Sequence, residues 1–157
     1  MRKSKRITRK TGAVNHKKIK VGGIEFSSAL EKYCYTKLEE AGLQFGYESD
    51  KFQVLPGTTY DGHYYSSSPK ASDLVNKQGK KVLPVTYTPD FVSHTHKFII
   101  ETKGYVPSQH SFPLRWKLFI AHLQLHGMGD YMLFLPKNKT QVDQTIKIIK
   151  DVITHDN

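Results

Sequence analysis

Two β-rich runs joined by a short polar segment constrain the fold of this chain more than any other feature. The runs are VLPVTYTPDFVS (82–93) and KFIIETK (97–103), and the polar segment between them is SHTH (93–96). Runs rich in β-branched and aromatic residues on both sides of a polar turn predict a β-hairpin. In such a hairpin Asp90, at the start of one strand, lies beside Glu101, near the end of the next.

Two carboxylates and an ammonium group are therefore expected on one surface. Glu101 and Lys103 are two apart on an extended chain, so their side chains point to the same side. With Asp90 and the backbone carbonyl of Thr102, the carboxylates offer hard oxygen ligands suited to Mg²⁺ or Mn²⁺. The lysine could orient or deprotonate a water, or stabilise developing charge. Each charge alone is more often a turn residue or an exposed ion pair. Pro-Asp, ten residues, then Glu-x-Lys is a more specific pattern.

The segment SSALEKYCYTKLEEAG (27–42) predicts a helix upstream of this hairpin. Ser28 and Glu31 match a capping box, and Gly42 lies where a helix C-terminus is expected. In residues 43–55, which follow, aromatic or apolar residues alternate with smaller or polar ones. This pattern predicts one long strand or two short ones.

Two more helices and a strand are predicted downstream. Pro113 suits the first turn of a helix that ends at Gly127. The apolar run DYMLFLP (130–136) predicts a buried strand, and Thr140 is the predicted cap of a last helix. The order α–β–β–β–α–β–α favours an α/β fold with a central mixed sheet and helices on both faces. The inward stripe expected on the last helix is Val142, Ile146, Ile149 and Ile153.

Positive charge is concentrated at the N-terminus. The formal net charge is +10, and residues 1–20 hold nine Lys and Arg residues and no acid. A flexible arm over residues 1–22 is expected to bind a polyanion such as DNA, because each neutralised phosphate releases counterions. A solubilising tail is the alternative. The expected contact residues are Arg2, Lys3, Lys5, Arg6, Arg9, Lys10, Lys17, Lys18 and Lys20.

Residues 23–157 are expected to form a single domain. Within it, residues 56–81 are rich in Gly, Ser, Pro and Lys, which predicts a long loop or a projecting insertion. Arg115 and Lys117, early in the second helix, either contact the DNA backbone or form a solvated face. Three tyrosines of the insertion either stack on unpaired bases or form a small satellite core; they are Tyr60, Tyr64 and Tyr65.

The sequence also bounds the setting of the protein. It has no run of 18 apolar residues, so no membrane span is expected. Its one cysteine, Cys34, excludes an internal disulfide and a cysteine-built zinc site. A reducing, cytoplasmic environment is the simplest interpretation.

The Pro-Asp and Glu-Thr-Lys motifs resemble those of the PD-(D/E)xK nuclease superfamily. Within it, the chain is most similar to the phage endonuclease I-type Holliday junction resolvases, although RWKLF (115–119) is more similar to other small phage proteins of the superfamily. The matching segments are SSALE (27–31), AGLQFGYE (41–48), YTPDF (87–91) and ETKG (101–104).

This resemblance implies a restriction-endonuclease-like α-β-β-β-α-β core with a C-terminal helix. Asp90 would be the metal-bridging carboxylate, Glu101 the second ligand, and Lys103 the residue that acts on the water. Glu31 would add a carboxylate from the first helix, or would only complete the capping box. Glu48 could reach the site or face solvent.

The implied function is a Mg²⁺-dependent DNA endonuclease, with Mn²⁺ as a substitute, that cuts branched DNA as a homodimer. A bacteriophage origin, and hence the host cytoplasm, follows from the same resemblance. Two alternatives stay open. One is a non-catalytic DNA-binding or packaging accessory protein on the same fold, and the other is an RNA-associated basic protein, which would explain the basic arm but not the carboxylates.

Overall fold

The computed structural model describes residues 19–68, 71–104 and 111–155. The described elements, in chain order, are β1 (Ile19–Val21), β2 (Ile24–Phe26), α1 (Ala29–Glu40), β3 (Gly46–Tyr47), β4 (Phe52–Leu55), β5 (Thr58–Tyr60), β6 (Tyr65–Ser68), β7 (Ala71–Asn76), β8 (Lys80–Val82), β9 (Val85–Tyr87), β10 (Phe91–Ser93), β11 (Phe98–Ile100), α2 (Phe112–Leu125), β12 (Met132–Phe134) and α3 (Lys139–His155).

A four-stranded mixed sheet with the order β12-β11-β10-β3 forms the centre of the fold. The predicted hairpin is confirmed: β10 and β11 are antiparallel, with Phe91 opposite Ile100. Strand β3 pairs with the other edge of β10, also antiparallel. After α2 the chain returns as β12, which is parallel to β11 and pairs Phe98 with Met132.

Helices cover both faces of this sheet, as the alternation of apolar residues predicts. Phe91 and Phe98 pack with buried residues of α1 and α3. Val92 and Ile99, one position further along each strand, pack with buried residues of α2. Successive strand side chains point to opposite faces, so both sides of the hairpin are buried in apolar surroundings.

Local signals set both ends of α1. The Ser28 hydroxyl accepts a hydrogen bond from the Glu31 N–H, and the Glu31 carboxylate accepts one from the Ser27 N–H. The cap is therefore as predicted on the Ser28 side, whereas its return bond reaches one residue further back than in a standard capping box. Gly42 has a φ of 65° and, with Leu43, closes the helix through bonds to the carbonyls of the last turn.

The other helix ends match the predictions in part. Pro113 lies in the first turn of α2, and Gly127, with a φ of 75°, follows its end. The cap of α3 is Asn138, whose side chain accepts from the Gln141 N–H, so the prediction of Thr140 is wrong. Asn138 and Thr140 are both residue types that cap helices, and α3 begins at Lys139, directly after Asn138. Strand β12 is half-buried and not fully buried as predicted.

The described residues between positions 56 and 81 form β-strands and not a structureless loop, whereas the alternative prediction, a projecting insertion, is compatible with these exposed strands. Strand β5 pairs with β8, and β6 pairs with β7, both antiparallel. These pairs continue outward from the β4–β9 pair and together make one two-stranded extension. We call residues 56–84 the ribbon.

Two smaller points complete the fold. The sequence predicts a flexible arm up to residue 22, but residues 19–21 form β1 and pair with β2.

Helices in the described part of the chain are all too short or too polar to cross a membrane.

Candidate metal centre

The open end of the β10–β11 hairpin holds the predicted carboxylate pair. Phe91 faces Ile100, so continuing the register by one residue places Asp90 opposite Glu101. The Thr102 N–H and hydroxyl both donate to one Asp90 oxygen, Oδ2, at 2.6 and 2.7 Å. These two bonds set the orientation of the Asp90 carboxylate.

Three carboxylates from different parts of the chain converge here. Oxygens of Glu31, Glu48 and Asp90 all lie within 4.8 Å of one another. Glu31 comes from the first turn of α1 and is held by the Tyr47 hydroxyl, which donates to its Oε2 at 2.9 Å. Glu31 is only 8% exposed and also accepts the capping bond from the Ser27 N–H, so its position suits both of the predicted roles.

Glu48 reaches the cluster because of its backbone. It follows β3 with a φ of 45°, a left-handed conformation that is uncommon for residues other than glycine. Its N–H donates to the Asp90 carbonyl oxygen at 2.8 Å, which holds the two residues side by side. Sequence reasoning left the position of Glu48 open, since no periodicity or motif indicates a single left-handed residue.

Glu101 and Lys103 form a second part of the site. The Lys103 Nζ lies 2.9 Å from Glu101 Oε1, as their spacing predicts. Glu101 is 6% exposed, and its other oxygen, Oε2, is buried near the Tyr87 hydroxyl, which is buried as well. Burial, followed by the Glu101 carboxylate, raises the pKa of Tyr87. The Lys103 ammonium also lies 4.1 Å from the centre of the Phe112 ring.

Strand β12 supports these two residues through its C-terminal end. The Glu101 N–H donates to the Phe134 carbonyl at 3.0 Å, and the Lys103 N–H donates to the Pro136 carbonyl at 2.9 Å. The chain beyond β11 is therefore held beside the sheet, and Glu101 and Lys103 point to one side of it.

Burial and neighbouring carboxylates disfavour the charged form of acidic groups in and around the cluster. Burial, followed by the charges of Glu101 and Glu31, raises the pKa of Asp90 to about 7, although the Thr102 bonds oppose this. Burial, followed by the charges of Asp90 and Glu31, raises the pKa of the Cys34 thiol to about 12. In the described part of the chain, Lys103 is the one cation that pairs with a carboxylate of this site.

These residues fit a hard divalent cation. The site offers three clustered carboxylates, with the Glu101 carboxylate close to Asp90. Mg²⁺ and Mn²⁺ prefer such ligands and keep several waters. The structure thus brings Glu48 together with the predicted Glu31 and Asp90. Glu101 lies outside this group of three, and metal ligation by Glu101 and by the Thr102 carbonyl stays a prediction.

The predicted DNA contacts are less well placed. Arg2, Lys3, Lys5, Arg6, Arg9, Lys10, Lys17 and Lys18 lie outside the described residues. Lys20 lies on β1, 3.6 Å from the Glu25 carboxylate. Arg115 donates to the Thr86 carbonyl at 2.9 Å, which gives it a structural role. Lys117 is exposed on α2.

The family described as "Protein of unknown function (DUF1064)" matches residues 11–139. The chain belongs to the DUF1064 family. No curated protein and no solved structure matches it. The segment shared with DUF1064 contains the three clustered carboxylates, Glu101, Lys103 and the ribbon.

Proposed function

We propose that this DUF1064 protein is a metal-dependent endonuclease that hydrolyses phosphodiester bonds in DNA. The observation that carries the proposal is the convergence of Glu31, Glu48 and Asp90 next to a buried Glu101–Lys103 pair. Acidic clusters are common on protein surfaces, but here Glu31 and Glu101 are buried, and burial and the neighbouring carboxylates raise the pKa of Asp90. Burial of carboxylates beside one another costs free energy, so such a cluster indicates a function.

The topology supports the same proposal. A helix, three antiparallel strands, a helix and a strand parallel to the third follow one another around this site. This is the order that the resemblance to PD-(D/E)xK nucleases implies, and Asp90, Glu101 and Lys103 occupy its motif positions. The finer assignment, a restriction-endonuclease-like core that cuts branched DNA as a homodimer, is part of the proposal and rests on that resemblance.

Each residue has a role that its contacts support. Glu31, Glu48, Asp90 and Glu101 would hold Mg²⁺, which when bound supplies Lewis acidity for phosphodiester hydrolysis. The Thr102 bonds keep Asp90 in one orientation, so the ligand geometry is set before DNA arrives.

Lys103 completes the arrangement. Its ammonium lies beside Glu101 and over the Phe112 ring, where it is partly shielded from solvent. From this position it would orient the attacking water and stabilise negative charge that develops on the phosphate.

The test is a cleavage assay on the full chain. Labelled four-way junction, matched linear duplex and single strand are incubated with Mg²⁺, Mn²⁺ or EDTA. The variants are Asp90→Asn and Lys103→Ala, with Asp151→Asn as a matched control because Asp151 is an exposed aspartate on α3, outside the site and the ribbon. We expect metal-dependent cleavage that falls by roughly 10³-fold or more in Asp90→Asn, a loss of about 4 kcal/mol of transition-state stabilisation.

The outcomes separate the competing functions. Cleavage of the junction alone would support the resolvase-like assignment, and cleavage of every substrate would keep the nuclease and discard the branched preference. Tight DNA binding without cleavage under any metal would favour the accessory protein. Cleavage that persists in Asp90→Asn would contradict the proposed site.

A further inference from the structure

The ribbon is an exposed two-stranded structure without a core of its own. All residues of β5 and β8 are exposed, although Thr58, Thr59 and Tyr60 pair in regular antiparallel register with β8. Isolated hairpins of this kind are marginally stable in water. A long exposed ribbon in a small domain therefore requires an explanation outside the stability of the fold.

Three lysines of the ribbon have no carboxylate partner among the residues that the structure describes. Lys20, Lys37, Lys97, Lys103 and Lys147 each lie within ion-pair distance of a carboxylate. By contrast, no described carboxylate lies within that distance of Lys77, Lys80 or Lys81 on the ribbon. Lys80 is positioned over the Tyr64 ring at 5.7 Å and Lys77 donates to the Ser67 carbonyl at 3.3 Å, and neither contact removes the charge.

The charge of the ribbon is opposite to that of the domain from which it projects. Residues 56–84 contain four lysines and two aspartates, a net charge of +2. Residues 21–55 and 85–157 together contain 11 Lys and Arg residues and 12 acids, a net charge of −1. Outside the N-terminal segment, the net positive charge of the chain therefore lies on the ribbon.

The base of the ribbon is fixed next to the candidate metal centre. Strand β9 ends at Tyr87, three residues before Asp90. The Tyr87 ring stacks on the Phe119 ring of α2 with their centres 4.6 Å apart. Phe52 of β4 also contacts the Phe119 ring, at a centre-to-centre distance of 5.0 Å. The ribbon therefore starts from a buried anchor at the edge of the site.

The dimensions of the ribbon suit double-stranded DNA. A two-stranded β-ribbon fits the major groove of B-DNA, which is about 12 Å wide. At about 3.4 Å per residue, the stretch from Leu55 to Ser68 reaches at most about 44 Å, somewhat more than the ~34 Å of one helical turn. Its exposed hydroxyl, amide and ammonium groups are those that contact phosphates and base edges.

We propose that the ribbon binds duplex DNA beside the candidate metal centre, with Lys77, Lys80 and Lys81 contacting phosphates. This inference rests on the proposed nuclease function, because it assigns the surface that holds the DNA on which the site acts. The proposed DNA-binding surface is thus separate from the N-terminal arm and from α2, where the sequence predicts DNA contacts.

A second copy of the chain is the competing occupant. Leu74 and Leu83 are 69% and 77% exposed on the ribbon, and no further strand among the described residues pairs with its edges. DNA fits better, because two copies of a ribbon with a net charge of +2 repel each other, whereas the phosphate backbone attracts both.

The experiment measures binding of the full chain to a labelled 30-bp duplex by fluorescence anisotropy. EDTA prevents cleavage, and the NaCl concentration is varied. The test variant is Lys77→Gln/Lys80→Gln/Lys81→Gln. The matched control, Lys97→Gln/Lys147→Gln/Lys150→Gln, removes the same charge from exposed lysines on the hairpin turn and α3. Wild-type cleavage is assayed in parallel, and the oligomeric state of each protein is measured by sedimentation.

We expect the ribbon variant to bind roughly tenfold more weakly or worse and to lower the slope of log K against log[NaCl] by about 0.9 per lost phosphate contact. The control should keep the wild-type slope. Equal loss in both variants, or no loss in either, would overturn the inference, as would conversion of a dimer to a monomer with DNA binding unchanged. If the wild-type protein cleaves DNA but the ribbon variant binds DNA normally, this inference fails and the proposed function stands. If the wild-type protein binds DNA through the ribbon but never cuts it, the proposed function fails and this inference stands.

Discussion

Two antiparallel strand pairs of this protein have the same length and opposite surroundings. Strands β10 and β11, FVS and FII, are buried at all positions. Strands β5 and β8, TTY and KKV, are exposed at all positions. Backbone pairing is the same in both, so the side chains decide which pair is covered by helices and which projects into solvent.

The comparison shows what burial does to charge. At the end of the buried pair, Asp90 is desolvated beside other carboxylates and its pKa rises to about 7. On the exposed pair, Lys80 and Lys81 are solvated and lack a carboxylate partner among the described residues. A buried cluster of this kind suits a bound cation, whereas the solvated lysines suit long-range attraction of a polyanion.

Truncation of one side chain in each pair should give the largest contrast. Phe98→Ala removes a fully buried ring from the sheet, so we expect the free energy of unfolding to fall by about 3–5 kcal/mol. Val82→Ala on β8 should lower it by less than about 0.5 kcal/mol, as is usual for surface positions. Urea denaturation followed by circular dichroism measures both, and similar losses would mean that the ribbon is buried in the native state.

The stability of the metal-free protein should depend on pH through Asp90. Its folded-state pKa of about 7 lies above the ordinary value of 3.8, so the folded protein retains this proton longer than the unfolded chain. The resulting stabilisation is complete below pH 3.8 and is lost as pH rises to about 7, at most about 4 kcal/mol at 1.36 kcal/mol per pKa unit.

Denaturation in EDTA between pH 4 and pH 8 measures this effect. Asp90→Asn should flatten the pH dependence, whereas Asp73→Asn on the ribbon should preserve it. Saturating Mg²⁺ should restore stability at high pH, since it binds the ionised carboxylates. If Asp90→Asn leaves the profile unchanged, Asp90 is not the group responsible.

Glu31→Gln separates the charge of the site from its structural contacts. Glutamine can still accept from the Ser27 N–H and the Tyr47 hydroxyl, so we expect unfolding to change by less than about 1 kcal/mol. Mn²⁺ affinity, measured by calorimetry, should fall by about tenfold or more because a charged ligand is lost. Unchanged affinity would reduce Glu31 to a helix-capping role.

Removal of the ribbon should have the smallest effect on stability. Replacement of residues 56–84 by Asn-Gly joins Leu55 of β4 to Val85 of β9, which already pair with each other, through a two-residue turn of a type common in hairpins. We expect the free energy of unfolding to change by less than about 1 kcal/mol, since little apolar surface is buried there. A large loss in urea denaturation would show that the ribbon supports the core.

The sequence predicts well wherever neighbouring residues decide the structure. Apolar runs around a polar segment identify the β10–β11 hairpin, and Ser28 and Gly42 mark the ends of α1. The i, i+2 spacing of Glu101 and Lys103 predicts their contact. Each of these features depends on local periodicity or capping, which residues close together in the sequence determine.

Only the tertiary structure decides the features that join distant segments. Glu48 enters the cluster through a left-handed residue and a backbone bond to Asp90. Arg115 bonds to the Thr86 carbonyl of a distant strand. The ribbon also escapes prediction, because exposed strands rich in polar residues have the composition of a loop. Composition and spacing therefore determined the hairpin, its helices and the candidate acids. Long-range packing decided which acids meet and which strands remain uncovered, because both outcomes depend on residues that are distant in the sequence.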